Sequence, residues 1–332
     1  MTVEAYGDQE AFSRLEAGWK ELLAASHSHT VFSTWQWQQV WWQCFGQGRQ
    51  LMILTAREEG ELLGLMPLYR ETIQGQAVLQ LVGGVDVADY LEIIARRGRE
   101  GQVLGAFMDY LRGQSWELLD LHSIPAGSPT LAFYQALGEE EGFKVEIAQE
   151  EVCPAVDLPA DWESYLAGLS REDRHELRRK LRRLRNSVAY SWYTVESAEQ
   201  LPSAVEAFLE LHRKSGSHKN SFWTQETDCF FRRLARAMFD EGWLRLSFLE
   251  IEGRRAASTF SFDYGGTVSL YNSGFDPEFA HLSVGVAAVA FSIQDCLALG
   301  RRTMDFLRGD EPYKYDFGAV DRAIFNIKCQ KR

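Results

Sequence analysis

Between Asp305 and Lys314 the chain reads Asp-Phe-Leu-Arg-Gly-Asp-Glu-Pro-Tyr-Lys, directly after an apolar run. Three carboxylates, a guanidinium, a phenol and an ammonium share that short segment. A strand end that feeds a Gly/Pro loop is where α/β folds present reactive side chains. Carboxylates and phenols so placed can move protons. The same composition also suits a solvated, charged loop.

A second group sits upstream. Ser283-Val284-Gly285 precedes an apolar segment that reads as a helix running to about Leu299 and closed by Gly300. Amides at a helix start have no intrahelical acceptor, and the dipole there favours negative charge. Gly285 lacks the Cβ that would crowd an incoming phosphate. A pyrophosphate fits such a turn, although a serine that merely caps the helix would read alike.

The third group is cationic. Arg171, Arg174, Arg178, Arg179, Lys180, Arg182, Arg183 and Arg185 crowd one helical segment, with Leu177, Leu181 and Leu184 as its apolar stripe. One reading is a solvated helix packed on its leucines; the other is an anion site in which arginine forks hold phosphates. Arg174 and Arg178 lie one turn apart and share a face.

The elements that must position these groups follow from periodicity and turn chemistry. Helices are expected at about Gln9–Ala25 and from a Ser33/Gln36 capping box to Gly46. Strands are expected at Leu51–Ala56, Leu62–Tyr69, Ala77–Val82 and Tyr90–Ala95. Then come a helix to about Leu111, a strand at Trp116–Leu121, a helix at Pro129–Gly138 and a strand at Phe143–Ile147. A link at Glu150–Asp161 with two prolines leads to helices split at Ser170. Helices at Ser203–Ser215 and Thr224–Asp240 precede a meander, Leu244–Ile251, Arg255–Phe262 and Thr267–Ser273, with turns at Glu252-Gly253 and Gly265-Gly266. A strand at Thr303–Leu307 follows the apolar helix. The halves match in order, which reads as a duplicated architecture. The expected partition is 1–150, a linker with the basic helix at 151–190, and 191–332.

Composition bounds the rest. A chain of 332 residues, 45% hydrophobic and 25% charged, is globular and long enough for two cores. Its net charge of -12 disfavours DNA and anionic membrane as general partners. The longest apolar stretch, Val284–Ile293, is too short for a membrane span, and Met1–Phe12 shows no secretory pattern. Five scattered cysteines without a CxxC pair suggest a reducing compartment, the cytoplasm. His27 with His29, or His212 with His218, have metal-like spacing but no supporting ligands, so no metal is expected. Trp35, Trp37, Trp41 and Trp42 read as core and interface packing. There is no P-loop and no GxSxG elbow.

The meander, the "HLSVGV" turn, the helix closed by glycine and "FLRGDEPYK" resemble the C-terminal acetyltransferase domain of the CelD-like (cellulose-biosynthesis-associated) family of the GNAT superfamily, related to Fem-type aminoacyltransferases. The likeness spans roughly 171–318. "LLGLMPLYR" and "VADYLEII" are similar to the first domain of the same proteins. The resemblance implies an α+β fold of tandem GNAT-like domains, each a twisted mixed β-sheet flanked by helices, with an acceptor site between them. It implies acyl-CoA as donor, no metal, and an amine acceptor on a small molecule, glycan or peptide. Of the usual Q/R-x-x-G-x-G/A phosphate turn only Gly285 stands here.

By similarity to the Fem-type "FK" position, Lys314 would stabilise developing negative charge. In direct transfer, Asp305, Asp310 or Glu311 would serve as base and Tyr271 or Tyr313 as acid. Ser273, Ser283, Val284, Gly285 and Val286 would hold the donor; Asp89, Tyr90, Arg174, Arg178 and Arg308 would face substrate. Two alternatives remain: a Fem-like transferase using aminoacyl-tRNA, and a non-catalytic GNAT-fold protein that binds an anionic ligand.

Overall fold

The computed structural model describes residues 1–8, 10–138, 142–216 and 222–331. It falls into two compact units, Met1–Val152 with Arg322–Arg332, and Cys153–Asp321. Gln9 and His218 lie outside the described residues.

The first unit contains β1 (Thr2–Tyr6), α1 (Ala11–Ala24), α2 (Trp35–Phe45), β2 (Gln50–Glu58), β3 (Glu61–Ile73), β4 (Gln76–Leu81), β5 (Ile94–Ala95), α3 (Glu100–Arg112), β6 (Leu118–Pro125), α4 (Pro129–Leu137) and β7 (Phe143–Val152). Its sheet runs β1-β2-β3-β4-β6-β14-β7, with β5 on β3, and β14 is Ala323–Lys331. Sequence reasoning grouped 323–331 with the second half. The segment instead pairs antiparallel with both β6 and β7.

α1 forms because Phe12, Leu15, Trp19 and Leu22 recur on one face, which is buried. The cap of α2 is Thr34 rather than Ser33: its hydroxyl accepts from the Trp37 amide at 3.3 Å, while Ser33 belongs to a 3-10 turn. Trp37 and Trp41 are core residues, and the Trp35 indole donates to the Phe12 carbonyl at 2.7 Å. The run Tyr90–Ala95 is not a full strand. Only Ile94–Ala95 pairs, and the preceding loop is tied to β6, where the Leu91 amide donates to Ser123 O at 3.0 Å.

The second unit contains β8 (Ala155–Asp157), α5 (Trp162–Gly168), α6 (Arg171–Ser187), β9 (Tyr190–Thr194), α7 (Leu201–Lys214), α8 (Gln225–Asp240), β10 (Leu244–Ile251), β11 (Arg254–Tyr264), β12 (Thr267–Phe275), α9 (Val284–Ala298), β13 (Thr303–Asp305) and α10 (Pro312–Asp316). Its sheet runs β8-β13-β12-β11-β10-β9. The expected linker is therefore built into this unit: β8 pairs with β13, and α6 buries Leu177, Leu181 and Leu184 in the same core as Val284, Ala287 and Ala288 of α9. Ser170 caps α6 as expected, accepting from the Asp173 amide at 3.1 Å. α7 starts earlier than its serine, at Leu201 with Pro202 in its first turn.

Alternation along β11 divides the faces of the second sheet. Thr259 meets Ser292 of α9 at 3.1 Å, whereas Phe260 packs against Phe208 of α7 and Phe231 of α8. Both units share one plan. An antiparallel meander ends in a strand that, after a helix, pairs in parallel with the next: β4 with β6, ending at Gln80↔Asp120, and β12 with β13, ending at Ser269↔Asp305.

Candidate active site

β12 and β13 pair only from Thr267↔Thr303 to Ser269↔Asp305. β12 then runs on to Phe275, while the chain leaves β13 as a loop, so the two strands part. Just past the parting point β12 carries a bulge. Its register with β11 steps from Leu270 to Asn272, passing over Tyr271. Bulges re-aim a strand and raise its local twist. The Tyr271 ring stacks on Phe231 at 5.4 Å, on the face covered by α7 and α8.

α9 starts near the end of β12, where Gly285 faces the Phe275 ring. Ser283 adopts a left-handed conformation, φ 57° and ψ 41°, and supplies no side-chain cap. The first bond of the helix runs from the Ala287 amide to Ser283 O at 3.0 Å, so the amides of Val284, Gly285 and Val286 lie ahead of the ladder. Val284 is buried in the core, and a Cβ on Gly285 would stand 3.4 Å from the Phe275 ring.

Val286 lines a cavity of about 1250 Å³. α6 forms its long wall, with Arg171, Arg174, Arg178, Arg182 and Arg185 beside the acids Glu172, Asp173 and Glu176; Trp162 and Glu163 of α5 and Tyr313 and Asp316 of α10 also line it. At 100° per residue these five arginines fall within one stripe of the helix. The two singled out by sequence are engaged: Arg174 donates to Ala167 O at 3.2 Å, at the end of α5, and Arg178 pairs with Glu163 at 2.6 Å. Arg171, Arg182 and Arg185 line the same cavity with no hydrogen-bond or ion-pair partner among the described residues. Their spacing was visible in the sequence.

The loop after β13 explains the charged segment differently from its composition. Asp305 is 4% exposed, and its Oδ1 accepts from the Leu307 amide at 2.8 Å. Leu307 has φ 60°. Lys314 is 2% exposed, and its Nζ donates to the carbonyls of Leu307, Arg308 and Gly309 at 2.9, 2.8 and 2.9 Å, with Glu311 Oε2 also at 2.9 Å. An ammonium has three N–H bonds, and three backbone oxygens take them. In this geometry Lys314 holds the loop and has no N–H left for a substrate oxyanion, the role that the family resemblance implied for it. Tyr313 lies on the cavity wall with its ring edge toward Phe306 at 6.3 Å. Asp310 and Glu311 are exposed, and Arg308 is half-buried.

The structure thus brings Asp305, Arg308 and Glu311 into one loop that Lys314 of α10 ties down, and Val286, Tyr313, Arg174 and Arg178 around one cavity. Ser273 lies on β12 beyond the bulge, opposite Thr259. Asp89 and Tyr90 belong to the first unit, where the Tyr90 ring packs edge-on against Phe32 at 6.0 Å. The buried Cys296 thiol is pushed up to about 12 by desolvation, which leaves it protonated and unsuited to attack. No group of three or more metal-ligating side chains occurs among the described residues.

Residues 171–315 match the family model described as Acetyltransferase (GNAT) domain. That match lies within the second unit. No curated protein matches the chain in sequence. Among solved structures the chain is similar to FemX, at 11% identity over 98% of this chain and 97% of that one with a TM-score of 0.68. It is similar to L-PGS from Bacillus licheniformis, at 11% identity over 94% and 90% with a TM-score of 0.57. It is also similar to a tandem GNAT protein from the clavulanic acid biosynthesis pathway, at 14% identity over 98% of both chains with a TM-score of 0.51. At these identities the likeness speaks for the fold. Both units carry the GNAT fold, in tandem, as mixed sheets with helices on their faces. No helix among the described residues is long and apolar enough to cross a membrane.

Proposed function

We propose that the second unit moves an acyl group from acyl-CoA to an amine, by direct attack of the amine on the thioester carbonyl. One observation carries this reading: the amides ahead of the α9 ladder end at Val286, which lines a cavity walled by the arginines of α6. Amides of Val284, Gly285 and Val286 donate to the diphosphate of the acyl donor, with Ser283 shaping the turn. The acyl carbonyl then lies along the edge of β12 beyond Ser269, where backbone N–H groups from Leu270 to Ser273 meet the developing oxyanion. Each such donor lowers the barrier by about 2.7–4 kcal/mol.

The amine loses a proton to Glu311 or Asp310, which are exposed at the loop, with Asp305 and Arg308 helping to set that loop's shape. Tyr313, on the cavity wall, returns a proton to the departing thiolate; Tyr271 at the bulge is the other phenol able to do so. Lys314 acts as a positioning residue. Asp89 and Tyr90 are proposed for the acceptor, and the narrower CelD-like likeness belongs to this same proposal. Transfer of [14C]acetyl from acetyl-CoA to a panel of amino sugars, polyamines and peptide amines tests it. Absence of transfer together with no effect of CoA on the melting temperature overturns it.

A second reading, an aminoacyl-tRNA donor, has one observation in its favour: the arginine stripe of α6 extends about 21 Å from Arg171 to Arg185. Charged-tRNA binding that weakens steeply with salt, with no response to CoA, selects it.

A further inference from the structure

We propose that Arg182 and Arg185 read a phosphomonoester on the donor, so that the enzyme takes the 3′-phosphorylated nucleotide of full CoA in preference to donors lacking that phosphate. This rests on the acyl-CoA reading above and assigns a specificity element within the same site.

The placement follows from α6 itself. Arg183 donates to His281 O at 3.0 Å, which fastens this part of the helix to the turn entering α9. Leu181 and Leu184 pack in the same core as Val284. Arg182 and Arg185, three positions apart on the cavity wall, therefore flank the anchored stretch nearest the α9 amides. A diphosphate held at Val284–Val286 leaves the next phosphate of the donor to the arginine pair.

Charge is distributed to match. In the middle of α6 the cations have acids: Arg178 pairs with Glu163, while Arg179 and Lys180 pair with Glu176. Residues 181–187 contain Arg182, Arg183 and Arg185 and no acid. Arg182 and Arg185 reach the cavity with no partner among the described residues. A phosphomonoester carries about -1.5 to -2 at neutral pH and accepts bidentate guanidinium bonds, whereas a diphosphate diester position spreads less charge per phosphorus.

The test compares acetyl-CoA with acetyl-dephospho-CoA, which differ only in that phosphate. Wild type should show a KM roughly tenfold or more lower for acetyl-CoA with little change in kcat. In the double variant Arg182→Gln/Arg185→Gln the KM for acetyl-CoA should rise to the dephospho value, and removing the phosphate should then change nothing further. Calorimetric binding of CoA and dephospho-CoA reads the same difference without turnover. An unchanged melting temperature in the variant shows that the helix is intact. Equal use of both donors by wild type, or equal losses on both in the variant, overturns the inference while transfer itself upholds the acyl-CoA reading. Binding of neither nucleotide sinks that reading as well, and loss of tRNA binding alone in the variant assigns the pair to RNA.

Discussion

The Nζ of Lys314 donates to the carbonyl oxygen of Leu307 at 2.9 Å, and Leu307 is one of the few non-glycine residues with positive φ among the described residues. A buried cation here fixes a backbone conformation that a branched side chain disfavours. Lys314→Met should therefore lower stability by about 3 kcal/mol or more, because three carbonyls lose their donor. The melting temperature of the variant checks this. A catalytic ammonium would behave otherwise, with turnover lost and the melting temperature kept.

Gly285→Ala separates binding from folding at the donor turn. The new Cβ meets the Phe275 ring at 3.4 Å, an ordinary contact, and alanine is the better helix former. The variant should melt at or slightly above the wild-type temperature. Its KM for acetyl-CoA should rise by roughly tenfold if phosphate closely approaches that backbone, as expected for interactions of about 1.4 kcal/mol. An unchanged KM would remove the donor from this turn.

His122 in the first unit lies between Glu150, at 2.9 Å from Nδ1, and Asp120, at 3.3 Å from Nε2. Burial alone would lower its pKa, but hydrogen bonds and charge from both acids outweigh this and raise it to about 9. The folded state thus holds the proton more tightly than the unfolded chain, whose histidine titrates near 6.5. The stabilisation is fully present below about 6.5 and disappears as pH rises through 9. His122→Gln should flatten the stability-versus-pH curve in that window, which denaturant titrations at pH 6, 7.5 and 9 will read.

Glu92 works in the opposite sense to an ion-paired acid. Burial raises its pKa to about 7, only partly offset by hydrogen bonding that includes the Ile93 amide at 3.2 Å. Between about 4.5 and 7 the folded state binds more protons than the unfolded one, so stability falls as pH rises through that range. Glu92→Gln keeps the shape without the charge and should raise the melting temperature at pH 8 relative to wild type. A lower value at that pH would show that the ionised carboxylate is needed.

Local chemistry made much of the fold readable. The turns Glu59-Gly60, Gln74-Gly75, Glu252-Gly253 and Gly265-Gly266 all have positive φ at both central residues, which is the geometry their composition demands. The apolar stripe of α6 and its Ser170 cap were equally plain. Non-local pairing was not. β8 follows two residues after Val152 in a proline-containing link and becomes a strand only because β13 arrives beside it. Tyr90–Ala95 is as apolar as its neighbours, but most of it is buried as loop. Lys314 was assigned by a family likeness, and a likeness does not reveal that three carbonyls enclose it. The free arginines of the cavity lay in view, yet which members of the stripe are spent depends on Glu163 and on the end of α5, which only folding brings near.

β14 fills the gap between β6 and β7, although it is synthesised after the whole second unit. On the ribosome, then, the earlier-made domain matures later. Its nascent sheet waits with two unsatisfied edges, while the second unit, which follows it, can close on its own residues. A nonsense codon or proteolytic cut just before Ala323 would spare every side chain around the arginine-walled cavity, yet leave those edges open to intermolecular pairing. Solubility, rather than chemistry, would be the first property lost.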